Sequence, residues 1–169
     1  MKILSFLLVC MLFLANAHAH ETMNSDTTQP ARKTFMINGV NKDLLLQLIN
    51  DVRRKGCQCG DTYYYPAPPL AWNKQLEAAA QAHSDDMFQN KYFSHISADG
   101  KRAGERMEEA GYHWLMFAEN IGLGYRAEKD MVDGWLKSPG HCKNIMNKSY
   151  REMGAARVGN YWTQTFGTK

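Results

Sequence analysis

Beyond Leu14 this 169-residue chain has no apolar run approaching the roughly 20 residues that a bilayer-spanning helix needs. It also lacks an excess of either charge: 20 Lys and Arg stand against 17 Asp and Glu. That balance argues against a nucleic-acid partner or a polybasic membrane face. The densest basic run, Arg53-Arg54-Lys55, reads as the basic last turn of a helix. Gly-x-Ser-x-Gly, a Walker phosphate loop and His-Glu-x-x-His are all missing, which removes three familiar hydrolytic and nucleotide-binding designs. Cysteine is scarce, with four in the whole chain.

What is there begins with a secretory signal over residues 1–19. Lys2 supplies the positive charge, Ile3 to Leu14 the apolar run, and Ala17-His18-Ala19 the small-x-small cleavage pattern. The run is too short to span a bilayer, and Cys10 sits inside it, which argues against a lipoprotein anchor. Cleavage near Ala19 would yield a secreted or periplasmic protein with no transmembrane segment. Without Lys2, 19 basic side chains face 17 acidic ones. Residues 20–38 read as a flexible polar spacer and 39–169 as one domain, expected to be a monomer.

Three cysteines survive cleavage: Cys57, Cys59 and Cys142. Their spacing does not match the paired ligands of a structural zinc site, and in an oxidising compartment one bridge plus one spare thiol is simpler. A bridge between Cys59 and Cys142 would stabilise the fold by roughly 4 kcal/mol on the loop-entropy model.

The first helix is expected to start at the capping residue Asn41 and run to Lys55, with Leu45, Leu48, Ile49 and Val52 as its apolar stripe and Gly56 as its stop. The stretch from Cys57 through Pro69 reads as a loop, its prolines favouring extended chain. Asn73 caps a second helix to about Asn90, with Leu76, Ala80, His83 and Met87 on one face. A short helix over Arg102–Ala110 and another over Ala127–Leu136 follow. Met153–Val158 and Tyr161–Phe166 form a hairpin around Gly159-Asn160. Four helices and late strands place the chain in the α+β class or a layered α/β/α arrangement.

Three polar motifs interrupt this pattern: Tyr92-Phe93-Ser94-His95, Ala118-Glu119-Asn120-Ile121 and Ser138-Pro139-Gly140-His141. Imidazole and carboxylate are the groups that bind zinc or move protons near neutral pH. Alone, His95 or His141 would more often be structural. Glu119 is more telling, because a carboxylate in an apolar stretch must be paired if it is buried, and imidazoles are natural partners. His83 reads as a core histidine and His113 as an exposed one. Tyr63, Tyr64, Tyr65 and Trp72 could line a groove, although packing over the helices is commoner.

Phe93-Ser94-His95, Ala118-Glu119-Asn120-Ile121, Gly134 through His141 and Tyr161-Trp162-Thr163-Gln164, in that order, resemble the CAP superfamily of cysteine-rich secretory, antigen five and pathogenesis-related proteins. The likeness is to its bacterial secreted branch and covers about Asn41 to Gly167. It implies a single-domain, three-layer α-β-α sandwich with a cleft, which in the eukaryotic members holds two histidines and two glutamates. His95, His141 and Glu119 match three of these. The second glutamate position is Ser138 here, as in many bacterial relatives. Those relatives also often pair the cysteines that correspond to Cys59 and Cys142.

Three functions are compatible with this likeness. The first is a non-enzymatic extracytoplasmic module binding a small ligand, lipid or protein, with a His/Glu cleft able to hold a divalent metal. The second is a metal-dependent hydrolase, in which His95 and His141 hold zinc and Glu119 is third ligand or base. In it His95, Glu119 and His141 are also the catalytic candidates. The third is sterol or lipid binding. Family likeness fixes fold far better than activity.

Overall fold

The structure, a computed structural model, describes residues 39–169; the signal and spacer expectations for residues 1–38 lie outside these. In chain order the elements are α1 (Lys42–Lys55), β1 (Cys57–Cys59), β2 (Thr62–Tyr64), β3 (Ala71–Trp72), α2 (Lys74–Asn90) and α3 (Ala103–Glu109). Then come β4 (Met116–Leu123), α4 (Glu128–Lys137), α5 (Pro139–Met146), β5 (Glu152–Val158) and β6 (Tyr161–Thr168). Among the described residues no helix is long and apolar enough to cross a membrane.

Local chemistry sets most boundaries. The Asn41 side chain accepts from the Leu44 amide at 3.1 Å, and that of Asn73 from the amides of Gln75 and Leu76. Gly56 closes α1 at a φ of 76°, a value that glycine adopts without strain. Pro139 opens α5 at a position where its missing N–H costs nothing.

A four-stranded sheet in the order β3-β5-β6-β4 forms the middle layer, with β3 parallel to β5 and the other neighbours antiparallel. Alternation along the strands divides the side chains between two helical layers. Met153, Ala155, Trp162 and Phe166 join the larger core with Leu45 and Ile49 of α1, Trp135 of α4 and Ile145 of α5. On the other face α2 lies against the strands so closely that a Cβ on Gly154 would meet the Glu77 nitrogen at 2.1 Å. There the Thr165 hydroxyl donates to the Leu76 carbonyl at 3.0 Å, and the Ser84 hydroxyl to that of Thr163 at 2.9 Å. Leu76 and Ala79 of α2 pack with Ala103 and Met107 of α3 and with Tyr112. The result is the expected three-layer α-β-α sandwich.

Several local expectations change. The described residues hold five helices rather than four, because the Ser-Pro-Gly-His turn continues into α5. The 57–69 segment is not all loop: β1 and β2 pair as a small antiparallel hairpin with Cys57 opposite Tyr64. The Ala118–Gly122 segment is the middle of β4, an element the sequence pattern did not mark. Arg53 lies in the basic last turn of α1, as expected, and is in addition a core residue. It is fully buried and donates to the carbonyls of Pro68, Ile145, Asn147 and Tyr150, where the end of α5 needs donors. Burial, then the charge of Arg151, pushes its guanidinium down to about 10.

Cys59 and Cys142 are joined, 5.5 Å apart at Cα, which ties the start of α5 to the β1–β2 hairpin. Cys57 is a free, half-buried thiol, pushed up by burial.

Candidate functional site around the edge strand

β4 is an edge strand, and Glu119 lies near its centre opposite Thr165, so its side chain turns toward the α2–α3 layer. That side chain is only 3 % exposed, and both its oxygens are engaged. Oε1 lies 2.8 Å from Nδ1 of His95, and Oε2 accepts from Nη2 of Arg106 at 2.6 Å. The imidazole partner was expected. Arg106 was not: it lies in a short helix, and only the fold brings it onto the strand. A buried carboxylate with a bonded guanidinium satisfies the requirement that a desolvated charge be paired.

The same network reaches His83. Arg106 donates to the Ser97 hydroxyl at 2.8 Å and to the Lys101 carbonyl at 2.9 Å. The Ser97 hydroxyl stands 3.4 Å from Nδ1 of His83, and Nε2 of His83 lies 2.8 Å from the Ser94 carbonyl. A carbonyl only accepts, so this geometry assigns the proton to Nε2. Burial is the main cause of a lowered His83 pKa; Glu119, 3.9 Å away, opposes it and Arg106 adds to it. His83 is therefore a core histidine, as expected, and also a support beneath the loop that carries His95.

The residue after Glu119 turns to the opposite layer. The Asn120 side chain donates to Gln164 Oε1 at 3.1 Å and to the His141 carbonyl at 3.3 Å, and accepts from Asn144 at 2.9 Å. This amide network holds the first turn of α5 against β4. The His141 imidazole is half-buried and its pKa is lowered, first by desolvation and second by the neighbouring His95 imidazole. Of the three sequence candidates, His95 and Glu119 are in direct contact, and the His141 imidazole lies near enough to His95 to feel its charge.

Alternate carbonyls along that edge are covered by side chains. Tyr150 Oη donates to Phe117 at 3.1 Å, Asn144 Nδ2 to Glu119 at 3.4 Å and Trp135 Nε1 to Ile121 at 3.1 Å. An edge strand blocked in this way resists pairing with another chain.

The donor set differs from a hydrolytic zinc centre. Among the described residues, the group of three or more metal-ligating side chains with donor atoms within 4.8 Å of one another is Cys57, Cys59 and Cys142; His95, Glu119 and His141 do not meet that distance together. With Nδ1 of His95 and both carboxylate oxygens engaged, Nε2 of His95 and the ring of His141 are the groups left to face a ligand. Glu119 stands behind Nδ1 of His95 as an orienting carboxylate does.

The other aromatic and histidine candidates lie elsewhere. His113 is 82 % exposed and bonded to Glu108 at 2.5 Å. Tyr63 and Tyr65 are exposed and stack edge to face at 5.2 Å, whereas Tyr64 and Trp72 pack against the main core.

Comparison with known proteins agrees with this architecture. The sequence profile of the cysteine-rich secretory protein family, CAP, matches residues 46–166. The chain is 36 % identical over 97 residues to the uncharacterized membrane protein YlbC of Bacillus subtilis, a match over 57 % of this chain and 28 % of that protein. With the uncharacterized protein YkwD of the same organism it shares 34 % identity over 100 residues, covering 58 % of this chain and 39 % of YkwD. The chain thus spans well under half of either relative. Among solved structures, an extracellular protein containing an SCP domain from Bacillus anthracis aligns with a TM-score of 0.68 and 30 % identity, over 75 % of this chain and 40 % of that one. An outer surface protein of Borrelia burgdorferi shares the fold at a TM-score of 0.65 and 19 % identity, over 76 % and 92 % of the two chains. The chain belongs to the cysteine-rich secretory protein (CAP) family, in which its bacterial extracellular neighbours also lie.

Proposed function

We propose that this protein is a non-enzymatic binding module working outside the cytoplasm, whose ligand sits between His95 and His141 at the edge of β4. A divalent metal such as zinc is one such ligand, held by Nε2 of His95 and a ring nitrogen of His141, with water or a further ligand group completing its shell. The observation that carries this reading is the engagement of both Glu119 oxygens by His95 and Arg106. A carboxylate fixed in a buried ion pair orients an imidazole well, but it is a poor general base for a bound water. Extracytoplasmic residence is supported by the disulfide, by the signal-like N-terminus and by similarity to proteins described as extracellular or outer-surface.

Calorimetric zinc titration of the purified chain at neutral pH tests the proposal, with His95→Ala and His141→Ala as variants. Each variant should weaken binding by about tenfold or more, with no hydrolysis of generic peptide or ester substrates by the parent. Equal affinity in parent and variants would contradict the shared site, and zinc-dependent turnover would contradict the non-enzymatic reading.

A further inference from the structure

The third cysteine stands beside the disulfide instead of apart from it. Cys57 Sγ lies 3.8 Å from Cys59 Sγ and 3.5 Å from Cys142 Sγ. Sequence spacing argued against a metal site here, because Cys57 and Cys59 sit on one short strand and Cys142 lies 83 residues beyond Cys59. The fold removes that objection by packing the first turn of α5 onto β1.

Three sulfurs around one metal, at metal–sulfur bonds of about 2.3 Å, form a triangle with edges of roughly 4 Å. Two edges of the present triangle are already close to that length. The third is the Cys59–Cys142 bond itself, and once it is broken two unbonded sulfurs separate to a comparable distance. We propose that the reduced protein binds one copper(I) ion through the thiolates of Cys57, Cys59 and Cys142, so that disulfide and metal are alternative occupants of one three-sulfur site.

The choice of metal follows from the donors. Three soft sulfurs within 4.8 Å of one another, with no imidazole or carboxylate in the set, suit trigonal copper(I), whereas zinc normally takes four protein or water ligands. An entry path exists: Cys57 lines an open hollow of about 280 Å³ between α1 and α4, whose charged rim holds Lys55 and Lys129 together with Asp51 and Asp133. Conversion between the two states is balanced by a dithiol. It gives two electrons and two protons to the Cys59–Cys142 bond, becoming a cyclic disulfide, and the three protein thiols release their protons as the metal–sulfur bonds form. The site shares no residue with the His95–His141 edge, and Cys57→Ser, which leaves the Cys59–Cys142 bond in place, probes it without disturbing the turn that carries His141.

The test uses the full chain under nitrogen. It is reduced with dithiothreitol, freed of reductant by gel filtration, and titrated with copper(I) against a chromogenic copper(I) chelator. The reduced parent should take up one copper per chain, the oxidised parent should compete at least about 100-fold less well, and reduced Cys57→Ser should lose affinity to a similar degree. Thermal melting gives a second readout, since one equivalent of copper(I) should raise the melting temperature of the reduced parent. Binding that is equal in oxidised and reduced parent, or unchanged in Cys57→Ser, would overturn the proposal. So would a reduced chain that stays unfolded after one equivalent of copper.

Discussion

The Arg106 guanidinium meets the Glu119 carboxylate at 2.6 Å, with side-chain exposures of 5 % and 3 %. Removing either member leaves the other a buried charge without its opposite, held by its remaining hydrogen bonds to His95 or to Ser97 and Lys101. Glu119→Gln and Arg106→Met should each lower unfolding stability by about 3 kcal/mol or more, while the double variant recovers part of that loss. Urea unfolding of all four chains checks this; simple additivity in the double variant would show that the two groups do not depend on each other.

Acidification should weaken the fold through His83 and His141. Both have pKa values below the ordinary imidazole range, chiefly from burial. The unfolded chain takes up protons near pH 6.5, where these native imidazoles still refuse them. Stability is therefore fully present above that value and is lost as pH falls through the lowered native values. Urea midpoints between about pH 7.5 and pH 5.5 should decline, and His83→Gln, which keeps a donor for the Ser94 carbonyl, should flatten the slope. Identical slopes in parent and variant would contradict the assignment.

Two glycines should respond in opposite ways. A Cβ at Gly154 meets the α2 backbone at 2.1 Å, so Gly154→Ala must push α2 off the sheet, costing at least about 2 kcal/mol. Gly140, in the first turn of α5, has no atom within 4 Å of its added Cβ, and Gly140→Ala should stabilise by up to about 1 kcal/mol. Thermal melts of the two variants decide the matter; similar shifts would mean that α2 does not rest on Gly154.

Loss of the Cys59–Cys142 bond should lower stability by roughly 4 kcal/mol, as expected for a cross-link closing so long a loop. The Cys59→Ser/Cys142→Ser chain therefore melts well below the parent. It should also bind zinc more weakly, because Cys142 directly follows His141 on α5. An unchanged melting curve would show that the hairpin and α5 hold together without the bond.

Sequence revealed most where the determining contacts are local. Asn41 and Asn73 cap helices through bonds reaching two or three residues ahead, and Gly56 ends α1 by its own φ. Leu45 and Ile49 announce their burial through helical spacing. Arg53 and Arg54, by contrast, look alike in the string. One is fully buried and the other exposed because the end of α5, ninety residues away, closes over only the first. Glu119 advertised a need for a partner through its apolar neighbours, but nothing along the chain marked Arg106 as that partner. Strand β4 was missed because Glu119 and Asn120 break the apolar alternation by which strands are read. Both polar side chains are satisfied by other elements, one in each helical layer. A Cys-x-Cys spacing likewise could not show that a third sulfur lies within 4 Å of both members.

Nitrogen chemical shifts of the imidazoles, recorded during addition of zinc to the purified chain at neutral pH, test the central claim most directly. Nε2 of His95 and one nitrogen of His141 should move together and saturate at the same zinc concentration, while His83 and His113 stay in place. Signals from His95 and His141 that remain fixed, or that titrate independently, would contradict a ligand shared between them.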